Sequence, residues 1–153
     1  LTIVELGTSL GLTTAYLAKP DSRNMVLTYE GCEAVAAVAR ENWKALGVNN
    51  IRCHVGKIEV ETLDKELDVV DVAFVDANHT YAGAREYFNV LARKVHAKSV
   101  IVMDDIHHNE EMERVWKEIC EDDRVTSTMD LYQMGLVFFD PHYWRRNYRM
   151  RLK

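Results

Sequence analysis

The chain predicts an α/β fold: a doubly wound, mostly parallel sheet of seven strands with helices on both faces and one reversed strand in a closing hairpin. Three observations carry this reading. Short β-branched runs alternate with helix-period segments along nearly the whole length. One run, Val69 to Asp76, is apolar almost throughout, as in a central parallel strand covered on both faces. Near the end, Arg124–Leu131 and Gly135–Phe139 are joined only by Tyr132, Gln133 and Met134, too short a link for a crossover helix, so these two strands pair antiparallel.

The first strand, Thr2 to Leu6, ends at Gly7, and a second glycine, Gly11, opens an apolar-periodic helix that runs through Tyr16 and Leu17 toward Pro20. Without a Cβ at these positions the backbone can turn sharply and a ligand can lie against it. The helix that follows points free N–H groups and its positive dipole end into the same space. The turn reads G-x-x-x-G, with Ser9 where the middle glycine of a dinucleotide fingerprint stands, which counts against a pyrophosphate. A second strand, Met25 to Tyr29, ends in Glu30, 19 residues after Gly11. An acid there can accept hydrogen bonds from both hydroxyls of a ribose, whether the nucleoside belongs to NAD or to S-adenosylmethionine.

Gly31 to Gly47 is rich in helix formers and closed by glycine. A short alternating strand, Ile51 to Val55, leads into Gly56, and Lys57 to Leu67 reads as a short surface helix. After the central strand a helix is expected from Thr80 to Val95, then a strand from Ser99 to Met103 that runs into Asp104 and Asp105. Glu110 to Cys120 is a helix whose buried stripe is Met112, Val115, Trp116 and Ile119, and Trp43 belongs to the core as well. Residues 1–140 form the domain. Residues 141–153 form a basic, aromatic extension with Trp144, Arg145, Arg146, Arg149, Arg151 and Lys153, expected to be solvated and to rest its aromatics on the sheet edge.

A chain of 153 residues with 48% hydrophobic content fits one core. The formal charge of −5 and pI near 5.7 argue against phosphate backbones and anionic lipid as partners, so neither nucleic acid nor a membrane is expected. Cys32, Cys53 and Cys120 are odd in number and lack a C-x-x-C pair, which points to a reducing, cytoplasmic setting. No apolar run reaches the roughly 18 residues of a membrane span. No Met precedes the first strand, so residues are expected upstream.

In an open parallel sheet, ligands sit beyond the carboxyl ends of the strands. Here those ends are Glu5 with Gly7, Glu30, Gly56, Asp76, and Asp104 with Asp105. Asp76, Asp104 and Asp105 have the hard oxygens that suit Mg²⁺ or Ca²⁺. His79, His107 and His108 follow in the loops, where an imidazole can act as a base near neutral pH or supply nitrogen to a transition metal. The bland alternative for Asp76 is a helix N-cap, a duty that Asn78 or Thr80 can share. For Asp104 and Asp105 it is harder to sustain, because adjacent carboxylates repel unless a cation compensates them. His54, His96 and His142 are expected to be structural or on the surface.

Four motifs, Val4-Glu5-Leu6-Gly7-Thr8-Ser9-Leu10-Gly11, Tyr29-Glu30-Gly31, Val75-Asp76-Ala77-Asn78-His79-Thr80-Tyr81 and Val102-Met103-Asp104-Asp105-Ile106-His107, together with the closing hairpin, carry a resemblance over essentially the whole chain. It resembles the class I S-adenosylmethionine-dependent methyltransferases, and within them the O-methyltransferases of the catechol and cephalosporin-biosynthetic kind and their uncharacterised bacterial relatives. The resemblance implies strand order 3-2-1-4-5-7-6 and methyl transfer to a hydroxyl oxygen of a small molecule. It places Glu5, Gly7, Thr8, Ser9 and Gly11 at the methionine end of the cofactor, Glu30 and Gly31 at the ribose, and Gly56 and Lys57 at the adenine, with Asp76 shared. In metal-dependent members Asp76, Asp104 and Asp105 hold Mg²⁺. His79 falls where catechol-type members place a catalytic lysine, and Asp76 and His107 complete the expected catalytic set. Relatives carry a helical segment before the first strand that covers the active site, which this sequence lacks. A homodimer is compatible with this reading. Two rival functions share the sheet: a catalytically silent S-adenosylmethionine-binding domain and an NAD-dependent oxidoreductase.

Overall fold

In the computed structural model, which describes residues 1–150, strands and helices alternate in the expected sequence. They are β1 (Thr2–Leu6), α1 (Leu12–Ala18), β2 (Met25–Glu30), α2 (Glu33–Ala45), β3 (Ile51–Val55), α3 (Val60–Glu66), β4 (Val70–Val75), α4 (Tyr81–Leu91), β5 (Val95–Asp104), α5 (Glu110–Glu121), β6 (Ser127–Asp130), β7 (Met134–Phe138) and β8 (Arg146–Arg149). The sheet order is β3-β2-β1-β4-β5-β7-β6-β8. Strands β1 to β5 pair parallel, and β7 runs antiparallel to both β5 and β6.

The period-two rule explains how each strand serves two layers. On β1, Val4 and Leu6 join the large core of α3, α4 and α5, while Ile3 and Glu5 face α1. On β2, Leu27 and Tyr29 join the first set, and Val26 and Thr28 the second. Trp43 closes the α1–α2 side: its indole N–H donates to Gly11 O at 2.7 Å, and it packs with Ala15 and Ala39. Trp116 covers the other side, lying on Gly135 of β7. The faces of β4, β5 and β7 turned away from α4 and α5 carry Val72, Phe74, Val100, Val102, Leu136 and Phe138 in mutual register, all only partly buried.

Two boundaries differ from expectation. Helix α4 stops at Leu91, because the chain turns there and Val95 pairs with Val70, lengthening β5 at its start. The sheet also has an eighth strand. Arg146 to Arg149 pairs parallel with β6, and Arg149 is tied to Asp130 at 3.2 Å. The extension holds the edge by backbone pairing; Trp144 stays 91% exposed and Tyr143 is exposed too, and with Tyr148 they line a cavity against Met129 and Phe138 of the sheet. Arg151 and Lys153 lie outside the described residues. Among the described residues no helix is long and apolar enough to cross a membrane.

A methyl group at Gly135 would sit 2.4 Å from two ring atoms of Trp116. Gly135→Ala should lower stability by about 1–3 kcal/mol through overpacking, read from the midpoint of urea unfolding. Gly31→Ala, whose added Cβ meets nothing within 4 Å, should stay within about 0.5 kcal/mol of the parent.

Candidate active site

The carboxyl edge of the sheet is where the backbone departs from ordinary conformations. All four non-glycine residues with positive φ in the described chain, Ser9, Asn78, Asp105 and Tyr132, lie in loops that follow β1, β4, β5 and β6. Such conformations cost free energy and gather where a loop must present groups in a set direction. At Gly7, with φ +99°, an added Cβ would stand 2.0 Å from the carbonyl oxygen of Asp76, so only glycine lets the β1 turn lie against the end of β4. Gly11 has a different reason. A Cβ there would collide with the Trp43 ring at 2.5 Å, so this glycine serves helix packing and does not line the cavity.

A cavity of about 390 Å³ opens between these loops. Of the residues expected at the cofactor, Gly7, Ser9, Glu30, Gly31 and Asp76 line it. Glu30 accepts the backbone N–H of Ser9 on Oε2 and that of Cys32 on Oε1, both at 2.9 Å, which fixes its carboxylate at the rim. Each oxygen keeps a lone pair for a further donor. Sequence reasoning missed the apolar wall, Tyr29, Val35, Ile58 and Ala77, since nothing in their local pattern separates a pocket wall from core. Lys57 is directed to Glu59 at 3.1 Å and lines a neighbouring cleft between α3 and α4, away from the cavity. Gly56 holds φ +123° at the end of β3 with open space around it.

Glu5 and Thr8 are expected at the ligand, yet the structure seals both inside. The Glu5 carboxylate accepts the hydroxyls of Thr14 and Thr28, and burial pushes its carboxyl up to about 7 against those two hydrogen bonds. Thr8 is bonded to Thr28 at 2.6 Å.

The second group lies beyond β4 and β5. His79 Nε2 stands 3.4 Å from Asp76 Oδ1 and 3.5 Å from Asp105 Oδ2, and this nitrogen is buried without an aligned hydrogen bond. His108 leans against His79, ring centroids 5.3 Å apart, and its Nδ1 is 3.8 Å from Asp105. The acids are not capping residues. Thr80 caps α4 by accepting from Gly83 N, and Asn109 caps α5 by accepting from Met112 N. That leaves Asp76, Asp104 and Asp105 free of helix duty. Burial first, then the neighbouring carboxylates of Asp76 and Asp105, hold Asp104 above the usual carboxylate range.

His107 is drawn elsewhere. Its Nε2 is 3.1 Å from Asp130 and its Nδ1 3.3 Å from Glu113, so it ties the end of β6 to α5; His108 is the neighbour that joins His79. Adjacent histidines on a loop cannot be told apart from sequence, because the backbone turn decides which one faces the cleft. His54 stacks on Tyr29, while His96 and His142 pair with Asp71 and Asp140 on the surface.

The three acids suit a divalent cation in kind, as hard oxygen donors with no Lys or Arg within 4.0 Å among the described residues. They do not suit it in arrangement. Among the described residues no three His, Cys, Asp or Glu side chains are grouped to hold a metal ion, and the His79 ring stands between Asp76 and Asp105. A larger cavity, about 660 Å³, lies by β6 and β8 among aromatic and arginine side chains, with no carboxylate in its wall.

No curated protein matches the chain by sequence. Solved structures share its fold. A putative O-methyltransferase from Klebsiella pneumoniae aligns with a TM-score of 0.78 at 20% identity, covering 91% of this chain and 73% of that one. An SAH-bound methyltransferase of Podospora anserina aligns at 0.77 and 19% identity, over 90% and 71%. The O-methyltransferase TomG of Streptomyces achromogenes, involved in tomaymycin synthesis and solved with SAM, aligns at 0.75 and 21%, over 90% and 72%. A family profile described as a methyltransferase domain matches residues 4–106, from the first strand through Asp104 at the end of β5 and Asp105 just after it. The chain therefore belongs to the methyltransferase-domain family.

Proposed function

We propose that the chain catalyses S-adenosylmethionine-dependent methyl transfer to a hydroxyl oxygen of a small molecule, with His79 as the base. One observation carries this reading: the buried, unbonded Nε2 of His79 sits between Asp76 and Asp105, and Asp76 is also a wall of the cavity that Gly7 and Glu30 shape. The bound cofactor would supply the electrophilic methyl group. The protein then has two tasks, to hold the two reactants in line and to take a proton from the attacking oxygen.

Each residue has a part in those tasks. Glu30, already oriented by two backbone N–H groups, accepts from the ribose hydroxyls. Gly7 brings the β1 turn close to the methionine end, and Tyr29, Val35 and Ile58 give the adenosyl group apolar surface. Asp76 and Asp105 face the buried Nε2 and orient the ring, so that the other ring nitrogen, Nδ1, is the one that takes the proton. An NAD-dependent oxidoreductase is disfavoured by Ser9, whose side chain and left-handed backbone stand where a pyrophosphate would need a bare glycine. A silent binding domain is disfavoured by His79, since cofactor binding alone does not call for an imidazole whose Nε2 is buried between two carboxylates.

His79→Gln should reduce turnover by about 10²–10⁴-fold while affinity for S-adenosylhomocysteine stays within a few-fold, by calorimetry and product assay. Retained turnover would point to a silent role for this residue. Glu30→Gln should do the reverse, weakening cofactor binding by about tenfold or more through loss of charge-assisted hydrogen bonds. The observed side-chain arrangement predicts rates unchanged in excess EDTA; loss of activity restored by Mg²⁺ would favour a second reading, in which Asp76, Asp104 and Asp105 regroup around the ion.

A further inference from the structure

At the end of β6 a nearly buried carboxylate gathers three segments of the chain. The Asp130 side chain is 11% exposed. Its Oδ1 accepts the backbone N–H of Tyr132 at 2.9 Å, and its Oδ2 stands 3.1 Å from His107 Nε2 and 3.2 Å from Arg149 Nε. Asp130 and Arg149 are also register partners on β6 and β8, and the Asp130 carbonyl accepts Met150 N–H at 2.8 Å. The family match ends at residue 106, so neither Asp130 nor the edge strand belongs to what it describes.

These contacts decide which histidine the loop after β5 presents. The left-handed turn at Asp105 sends the two imidazoles that follow to different sides. His107 goes toward the hairpin: one ring nitrogen meets Asp130 and the other, at 3.3 Å, Glu113 of α5, while the neighbouring Ile106 N–H donates to Gln133 O. His108 goes toward the cleft, with 5.3 Å between its ring centroid and that of His79. The two rings are chemically alike, and what separates them is the acid that holds one. A carboxylate so little exposed needs a counter-charge, and Arg149 is the permanent cation beside it among the described residues.

We propose that Asp130 is a positioning residue of the active site: by anchoring His107 to the hairpin it leaves His108 as the one imidazole that packs on His79, and Arg149 makes the edge strand β8 part of that anchor. The proposal rests on the reading of His79 as the base. Asp130 is not in the wall of the cofactor cavity; it acts through His107 and the peptide that joins His107 to His108. Without the anchor either ring can swing beside His79, and the base loses a fixed neighbour.

The test is NMR of the whole chain with its six histidine rings labelled, each signal being assigned by replacing one histidine at a time. The parent should give one set of ring signals and a through-space cross-peak between His79 and His108. Asp130→Ala should lose that cross-peak. Arg149→Met, at a side chain 60% exposed, should add a second set of signals for His107 and His108 and weaken the cross-peak, and it decides the matter if Asp130→Ala fails to fold. Leu63→Val, which trims a fully buried side chain on α3, should lower the unfolding midpoint and keep the cross-peak, so that position is told apart from stability. With catechol as the acceptor, Arg149→Met should lower kcat by about tenfold and leave KM for S-adenosylmethionine within a few-fold. The parental cross-peak with a single set of signals in both variants, an equal loss in Leu63→Val, or an unchanged kcat in Arg149→Met overturns the proposal. Absence of binding heat when the parent is titrated with S-adenosylhomocysteine overturns the cofactor reading instead, and the ring signals still decide whether Asp130 sets the loop.

Discussion

The close approach of the Gly7 turn to the end of β4 is the constraint on which the cleft depends. Asp76 N–H donates to Leu6 O at 2.8 Å, and Gly7 and Thr8 N–H both donate to Tyr29 O. Three strand tips are thereby locked to one another by backbone groups that would otherwise be unpaired where the sheet ends. A side chain at position 7 would push the Asp76 carbonyl away, and with it the loop that carries His79. The cavity, Glu30 at its rim and Asp76 in its wall all inherit their spacing from that contact.

Around this lock, helix capping and chemistry are kept apart. Thr80 and Asn109 satisfy the first N–H groups of α4 and α5, and Asn109 reaches back to His79 O at 3.1 Å, pinning the loop after β4 to the one after β5. Glu111 adds a bond to Tyr81 N. The carboxylates of Asp76, Asp104 and Asp105 are left to crowd a single region around His79, which is costly for stability. The left-handed backbone at Asn78 and Asp105 is part of the same trade, tolerated because the caps and the parallel pairing of β4 with β5 over-determine the loops.

The α1 side of the sheet is built on different physics. Here a polar residue on each central strand, Glu5 and Thr28, is buried under a short helix, and the cost is offset by a closed set of hydroxyl donors. Trp43 seals that side through its bond to Gly11 O. What this set leaves open is a single oxygen, Glu5 Oε1.

The alternation of apolar runs determined most of the architecture by itself, because burial on one or two faces of a strand must show as a period of two or as a continuous run. The parallel sheet then obliged Gly7, Glu30, Asp76, Asp104 and Asp105 to share one edge, and they do. Only the tertiary structure decided the rest. Strand β8, Arg-Asn-Tyr-Arg with every side chain exposed, has no pattern to read, since its stability comes from backbone pairing with β6. Whether Glu5 lines the cavity or lies beneath it turned on the register with Thr28 and the seating of Thr14. Gly11 owes its lack of a side chain to Trp43, 32 residues away, and His108 rather than His107 faces His79 because of one left-handed residue at Asp105. Each of these is a relation between distant residues, and such relations exist only once the chain has closed on itself.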